Sequence, residues 1–188
     1  MNMRHTIVQL SFFIVLGVVV LIPFRTIYAA EVFLTTANAS PKINERFIVT
    51  VNLRGNDQTL GTDVILRYDP TYLVVQDVSE GTLYPTYNPA GAARVNKDAG
   101  LVVLSGSTGF GQVIPANGVF STVSFVALKE GKTAITLEYE QGMTNKTGVI
   151  SPMGEELLTS APTPLSITVK RQSLFGGLLS FFQSLWKK

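Results

Sequence analysis

Through the middle of the chain, apolar residues recur at every second position, in short runs punctuated by Gly, Pro, Asn and Asp. Val64, Leu66 and Tyr68 alternate with Asp63, Ile65 and Arg67, a period of two that puts one set on a buried face of a β-strand. Asp69-Pro70 ends that strand, because proline fixes φ and has no N–H to donate. Leu73 to Val78 follows as a β-branched, largely apolar run, the pattern of a strand covered on both sides. Phe47, Val49, Val51 and Leu53 mark another strand over 46–53, and 31–36 (EVFLTT) a first one. The spacing predicts a hairpin of 94–96 with 101–105, turned at Lys97 to Gly100. It predicts a second pair, 119–128 with 133–139, around Lys129 to Lys132. Short strands are expected at Val149-Ile150 and Leu157-Leu158, and 165–170 closes a sheet. The segments 54–61, 80–93 and 106–117 read as loops. About nine short strands with no helical periodicity among them predict an all-β, antiparallel two-sheet sandwich, jelly-roll-like in its connections.

Both ends depart from this period. Residues 1–30 carry Arg4, then an apolar run ending at Pro23, then Tyr28-Ala29-Ala30. That is the order of a signal peptide, and its length also allows a retained membrane anchor. Either reading exports the body, to the cell surface or beyond. The body is expected over 31–170, and a tail over 171–188. On a helix, Leu174, Phe175, Leu178, Leu179, Phe181, Phe182, Leu185 and Trp186 fall within an arc of about 160°. The tail is too short to span a bilayer. It has the form of an interfacial helix, with Lys187 and Lys188 at headgroup level. Packing on the body or self-association would use the same apolar arc.

Composition narrows the chemistry. The 188 residues include no cysteine, and the single histidine is His5 in the leader. The body therefore has no His-dependent nucleophile pair, thiolate or histidine-ligated zinc site. Between 31 and 169, nine Lys/Arg face thirteen Asp/Glu, an acidic balance unsuited to nucleic acid. Glu138 with Glu140, and Glu155 with Glu156, are the only closely spaced acids, and they read as solvated strand-edge charges rather than a glycosidase pair. Asp57, Asp63, Asp69 and Asp77 lack calcium-loop spacing, so no metal or cofactor is expected. Asp69 reads as an acceptor for backbone N–H groups in its own turn. Tyr84, Tyr87 and Phe110 lie in predicted loops, where rings either cap the sandwich or stack on sugar.

Tyr68-Asp69-Pro70 with Leu73, Val75, Val78 and Gly81 resembles the signature of cohesin domains, the β-sandwich modules that hold dockerin-bearing enzymes on cellulosome scaffolds. Asn117-Gly118-Val119-Phe120 with Val123 and Phe125, and then Gly131 to Leu137, resemble two later blocks of that family in the same order. The resemblance implies a non-catalytic module whose partner is a dockerin-like protein on a separate chain. It places the binding face on the sheet holding 62–68 and 101–105. Asp63, five positions before Tyr68, matches a partner-contacting acid. Glu156 matches a later glutamate, with Glu155 beside it. Asn96 follows the family pattern loosely, and Gly61 departs from it. A carbohydrate-binding or adhesive sandwich using Tyr84, Tyr87 and Phe110 on a surface glycan is the alternative.

Overall fold

The computed structural model describes residues 29–88 and 94–172. The leader and the membrane-contact residues expected in the tail lie outside these, apart from Ala29, Ala30, Arg171 and Gln172.

Two antiparallel sheets stack on one core. Strands β1 (Ala30–Thr36), β2 (Arg46–Gly55), β10 (Gly118–Ala127) and β5 (Leu73–Glu80) form the first, in the order β1-β2-β10-β5. The second runs β13 (Leu165–Val169), β11 (Gly131–Leu137), β4 (Gly61–Arg67), β8 (Leu101–Ser107), β6 (Thr86–Asn88). Here β12 (Gly148–Ile150) also pairs with β4, and β7 (Arg94–Asn96) with β8. A ribbon of β3 (Gln58–Thr59) and β9 (Ile114–Pro115) closes one end. The alternation expected on β2 and β4 is present. Phe47, Val49, Val51, Leu53, Val64, Leu66 and Tyr68 are buried, together with Val102 and Leu104 of β8. Phe120 and Ser121 are consecutive and both buried. A register shift between Val119 and Ser121 accommodates them, as a bulge inserts one unpaired residue and re-phases the strand.

Four expectations are corrected. β10 and β11 are not a hairpin: Leu128 to Glu130 carries the chain from the first sheet to the second, where β11 pairs with β13 and β4. β5 is an edge strand, with Gln76, Asp77, Ser79 and Glu80 exposed, not a strand covered on both sides. The predicted loops 54–61, 80–93 and 106–117 contain β3, β6 and β9. The expected pairing of Leu157-Leu158 is present as one Ile150–Glu156 bridge and a hydrogen bond from Leu157 N to Val149 O, not as a full strand.

The corner after β4 is where the chain changes sheets. Asp69 Oδ1 accepts from Thr71 N at 2.8 Å, and Asp69 O accepts from Leu73 N, as expected of an Asx turn. Tyr68 packs edge-on against Phe125 of the opposite sheet, ring centroids 5.2 Å apart.

Candidate partner-binding face

Strand register fixes what the second sheet presents outward. Antiparallel neighbours lie about 4.8 Å apart and alternate faces, so rows can be read directly. Asp63 pairs with Ser105, which pairs with Asn88; Ile65 pairs with Val103; Arg67 pairs with Leu101, which pairs with Asn96. Val64, Leu66, Val102 and Leu104 point into the core. Their neighbours Ile65, Leu101 and Val103 are half-buried on the opposite side. The result is an apolar strip, with Asp63, Ser105 and Asn88 at one end and Arg67 and Asn96 at the other.

Charge on this face is arranged unequally. Arg67 Nε donates to Glu138 Oε1, and Lys146 Nζ donates to Glu138 Oε2 at 3.0 Å. Arg67 and then Lys146 hold the Glu138 carboxyl below the usual carboxylate range, since both bond its charged form. The Asp63 carboxylate, by contrast, has no hydrogen bond or ion pair with a described residue. Glu156 Oε1 accepts from Val149 N at 2.9 Å and Leu158 N at 3.0 Å. Its carboxylate fills the space a side chain would need at Gly148, where a Cβ would lie 2.7 Å from Oε2. Gly148 is paired with Asp63, so the two acids singled out in the sequence flank the same strand. Glu156 is nevertheless committed to bracing its hairpin. Glu155 is exposed, in the loop after β12. Asn96 is exposed, and its Oδ1 accepts from Ala99 N at 3.0 Å, which shapes the β7–β8 turn.

The aromatic alternative is corrected for two of its three residues. Tyr84 and Tyr87 are 4% and 5% exposed and meet each other and Phe120 edge-on. Room for them comes from Gly106, where a Cβ would lie 2.5 Å from the Tyr84 ring and 2.9 Å from Phe120. Tyr84 OH bonds Thr62 Oγ1 at 2.6 Å and Thr59 Oγ1 at 3.2 Å, and Tyr87 OH donates to Phe120 O. Burial pushes both phenols up. Rings so enclosed offer no face to a sugar. Phe110 alone remains outside, fully exposed at a loop tip.

The cohesin domain family matches residues 30–159. The chain belongs to that family. Among solved structures this cohesin is similar to a type II cohesin domain from the cellulosome of Acetivibrio cellulolyticus, at 16% identity over 74% of this chain and 95% of that one, TM-score 0.60. It is similar to the third ScaC cohesin of the same organism, solved in complex with the ScaB dockerin, at 16% identity over 74% and 98%, TM-score 0.61. A type II cohesin from Bacteroides cellulosolvens matches at 19% identity over 74% and 99%, TM-score 0.59. Likeness at these identities establishes the fold. No curated protein matches the chain.

Sequence reasoning expects this cohesin's face on the strands holding 62–68 and 101–105 and passes over Ile65, Leu101 and Val103, which share the outward side of those strands. Apolar residues at both parities of a strand were the available signal. The Arg67–Glu138–Lys146 cluster had none, because its members are far apart in sequence.

Proposed function

We propose that this cohesin is a non-catalytic module that holds a dockerin-type protein on the outward face of its second sheet, at the cell surface, within an assembly for polysaccharide breakdown. One observation carries the reading: a strip of Ile65, Val103 and Leu101, half-buried by the fold and edged by Asp63, whose carboxylate has no hydrogen bond or ion pair among the described residues. An apolar centre with a polar rim is the anatomy of a protein interface. An unengaged carboxylate at the rim loses no internal partner when it meets a donor on the other protein. Asp63→Ala should weaken capture of a calcium-loaded dockerin, and Ile65→Arg should abolish it. Capture by both variants at wild-type strength would overturn the reading.

Export relies on the leader, and attachment on the tail. Liposome flotation of the intact protein, against one truncated after Arg171, tests that attachment. Apolar burial outweighs the lysines, at about 1.5–3 kcal/mol per fully buried large side chain against about 1 kcal/mol per lysine. Flotation should therefore survive moderate salt and disappear on truncation. Equal flotation of both forms would refute an interfacial tail.

A further inference from the structure

At the Gly61 end of the second sheet, two loops hold large apolar side chains out into solvent. Ser107, the last residue of β8, and Ile150, the last of β12, both pair with Gly61. The loops that follow them therefore leave the sheet on either side of β4, about 10 Å apart at their roots. Phe110 at the tip of one is 106% exposed, and Met153 at the tip of the other is 83% exposed.

Neither tip is on slack chain. Thr108 is buried, its N–H donates to Leu60 O at 2.9 Å, and its hydroxyl donates to Gln112 O at 2.6 Å across the loop. Gly109 and Gly111 adopt φ of 85° and 73°, turning the chain sharply on both sides of Phe110. In the second loop Ser151 Oγ accepts from Met153 N at 3.2 Å and Glu155 N at 3.0 Å. A hydroxyl latch at each root thus holds a large apolar residue out into solvent. Stacking outward residues along β4 and β8, the row Gly61–Ser107 comes directly after Asp63–Ser105. The loops begin where the proposed face ends.

We propose that Phe110 and Met153 form a two-point apolar clasp that seats apolar side chains of the same protein partner, carrying recognition from the strand rows onto the loop tips. The proposal rests on the reading of the face given above. Aromatic residues and methionine are enriched in protein interfaces, and tips already fixed in place lose little freedom on binding. A bilayer is a poorer occupant. Residues 108–113 and 151–154 contain no Lys or Arg for lipid headgroups. Val169, just before the tail, pairs with Gly131, beyond the opposite, Arg67 end of β4.

The test uses the full chain and two probes: the calcium-loaded ScaB dockerin of Acetivibrio cellulolyticus, and calcium-loaded dockerins encoded in the genome this chain comes from. Phe110→Ala/Met153→Ala should weaken binding about thirtyfold, mainly through faster dissociation, and leave Tm unchanged. Phe110→Trp in a Trp186→Phe background should shift its emission to the blue and resist acrylamide once dockerin is added. Leu128→Trp, at the opposite end, should do neither. If the double variant binds as wild type while Ile65→Arg does not bind, the clasp is wrong and the face stands. If the wild-type protein binds no dockerin, both fall. Quenching of Trp at 110 by brominated phosphatidylcholine vesicles, or its protection by cello-oligosaccharide alone, would also overturn the clasp.

Discussion

Truncating Tyr84 separates a core residue from a sugar-binding one. Its ring is enclosed by Tyr87, Phe120 and the space over Gly106, and its hydroxyl bonds Thr62 and Thr59. Replacing a buried aromatic by alanine costs about 3–5 kcal/mol, from lost burial and the cavity left behind. Set against a total stability of about 5–15 kcal/mol, that is a large fraction. Tyr84→Phe keeps the ring and removes only the hydroxyl. Thr59 Oγ1 retains its contacts with Gly61 O and Ile150 O. Thr62 Oγ1, whose bond to Tyr84 is the shorter of the two, is left buried, at a cost of about 1–3 kcal/mol. At roughly 3 °C per kcal/mol for a body of this size, Tm should fall by about 9–15 °C in Tyr84→Ala and about 3–9 °C in Tyr84→Phe. Calorimetry and urea unfolding read both. Wild-type stability in Tyr84→Ala, together with lost binding to cellulose or a glycan array, would refute the core assignment and restore the sugar reading.

Other perturbations probe the same framework. Gly106→Val would drive a side chain into the Tyr84 and Phe120 rings; the protein should be found in the insoluble fraction or unfold well below wild type, and an unchanged Tm would contradict this packing. Glu138→Gln removes the acceptor shared by Arg67 and Lys146 and should cost about 1 kcal/mol or less near neutral pH, given partial exposure. Because folding lowers the Glu138 pKa, its contribution is present above the unfolded value and lost as pH falls through the lowered folded one. Urea midpoints of wild type and variant should therefore converge in acid, and a gap that widens there would reverse the sign. Asp69→Ala deletes the acceptor for Thr71 N. It should lower stability by about 1 kcal/mol without touching partner affinity, measured by unfolding and titration side by side.

How far the sequence reaches depends on what alternation encodes. A period of two tells which side chains of β2 and β4 face the core, and here it does so residue by residue. It does not encode which strand lies alongside. Lys129 to Lys132 has the charge and glycine of a hairpin turn, yet β10 and β11 belong to different sheets, because the burial pattern of each strand is satisfied in either arrangement. The β-branched run at Leu73 suggested a central strand. Its polar residues, Gln76, Asp77, Ser79 and Glu80, face solvent along an edge, where tertiary placement overrides propensity. Tyr84 and Tyr87 looked like loop aromatics because Pro85 and Pro89 punctuate the segment. What buries them is a glycine on β8, and that vacancy cannot be read from the tyrosines themselves. Asp63 has a legible place, on an outward row, because the strand that holds it is unbroken. Phe110 was flagged as a loop ring, but its latch at Thr108 depends on Leu60, a long-range contact with no local signature.

The central claim is that the outward rows of β4 and β8 bind a protein. Calorimetric titration of the full-length protein with calcium-loaded dockerins from the same genome tests it most directly, run on the wild type and on Ile65→Arg, a substitution on the outward face that leaves the core untouched. The account predicts one-to-one binding by wild type with a negative heat-capacity change, from apolar burial, and none by Ile65→Arg at equal Tm. Binding that survives Ile65→Arg unchanged would contradict it.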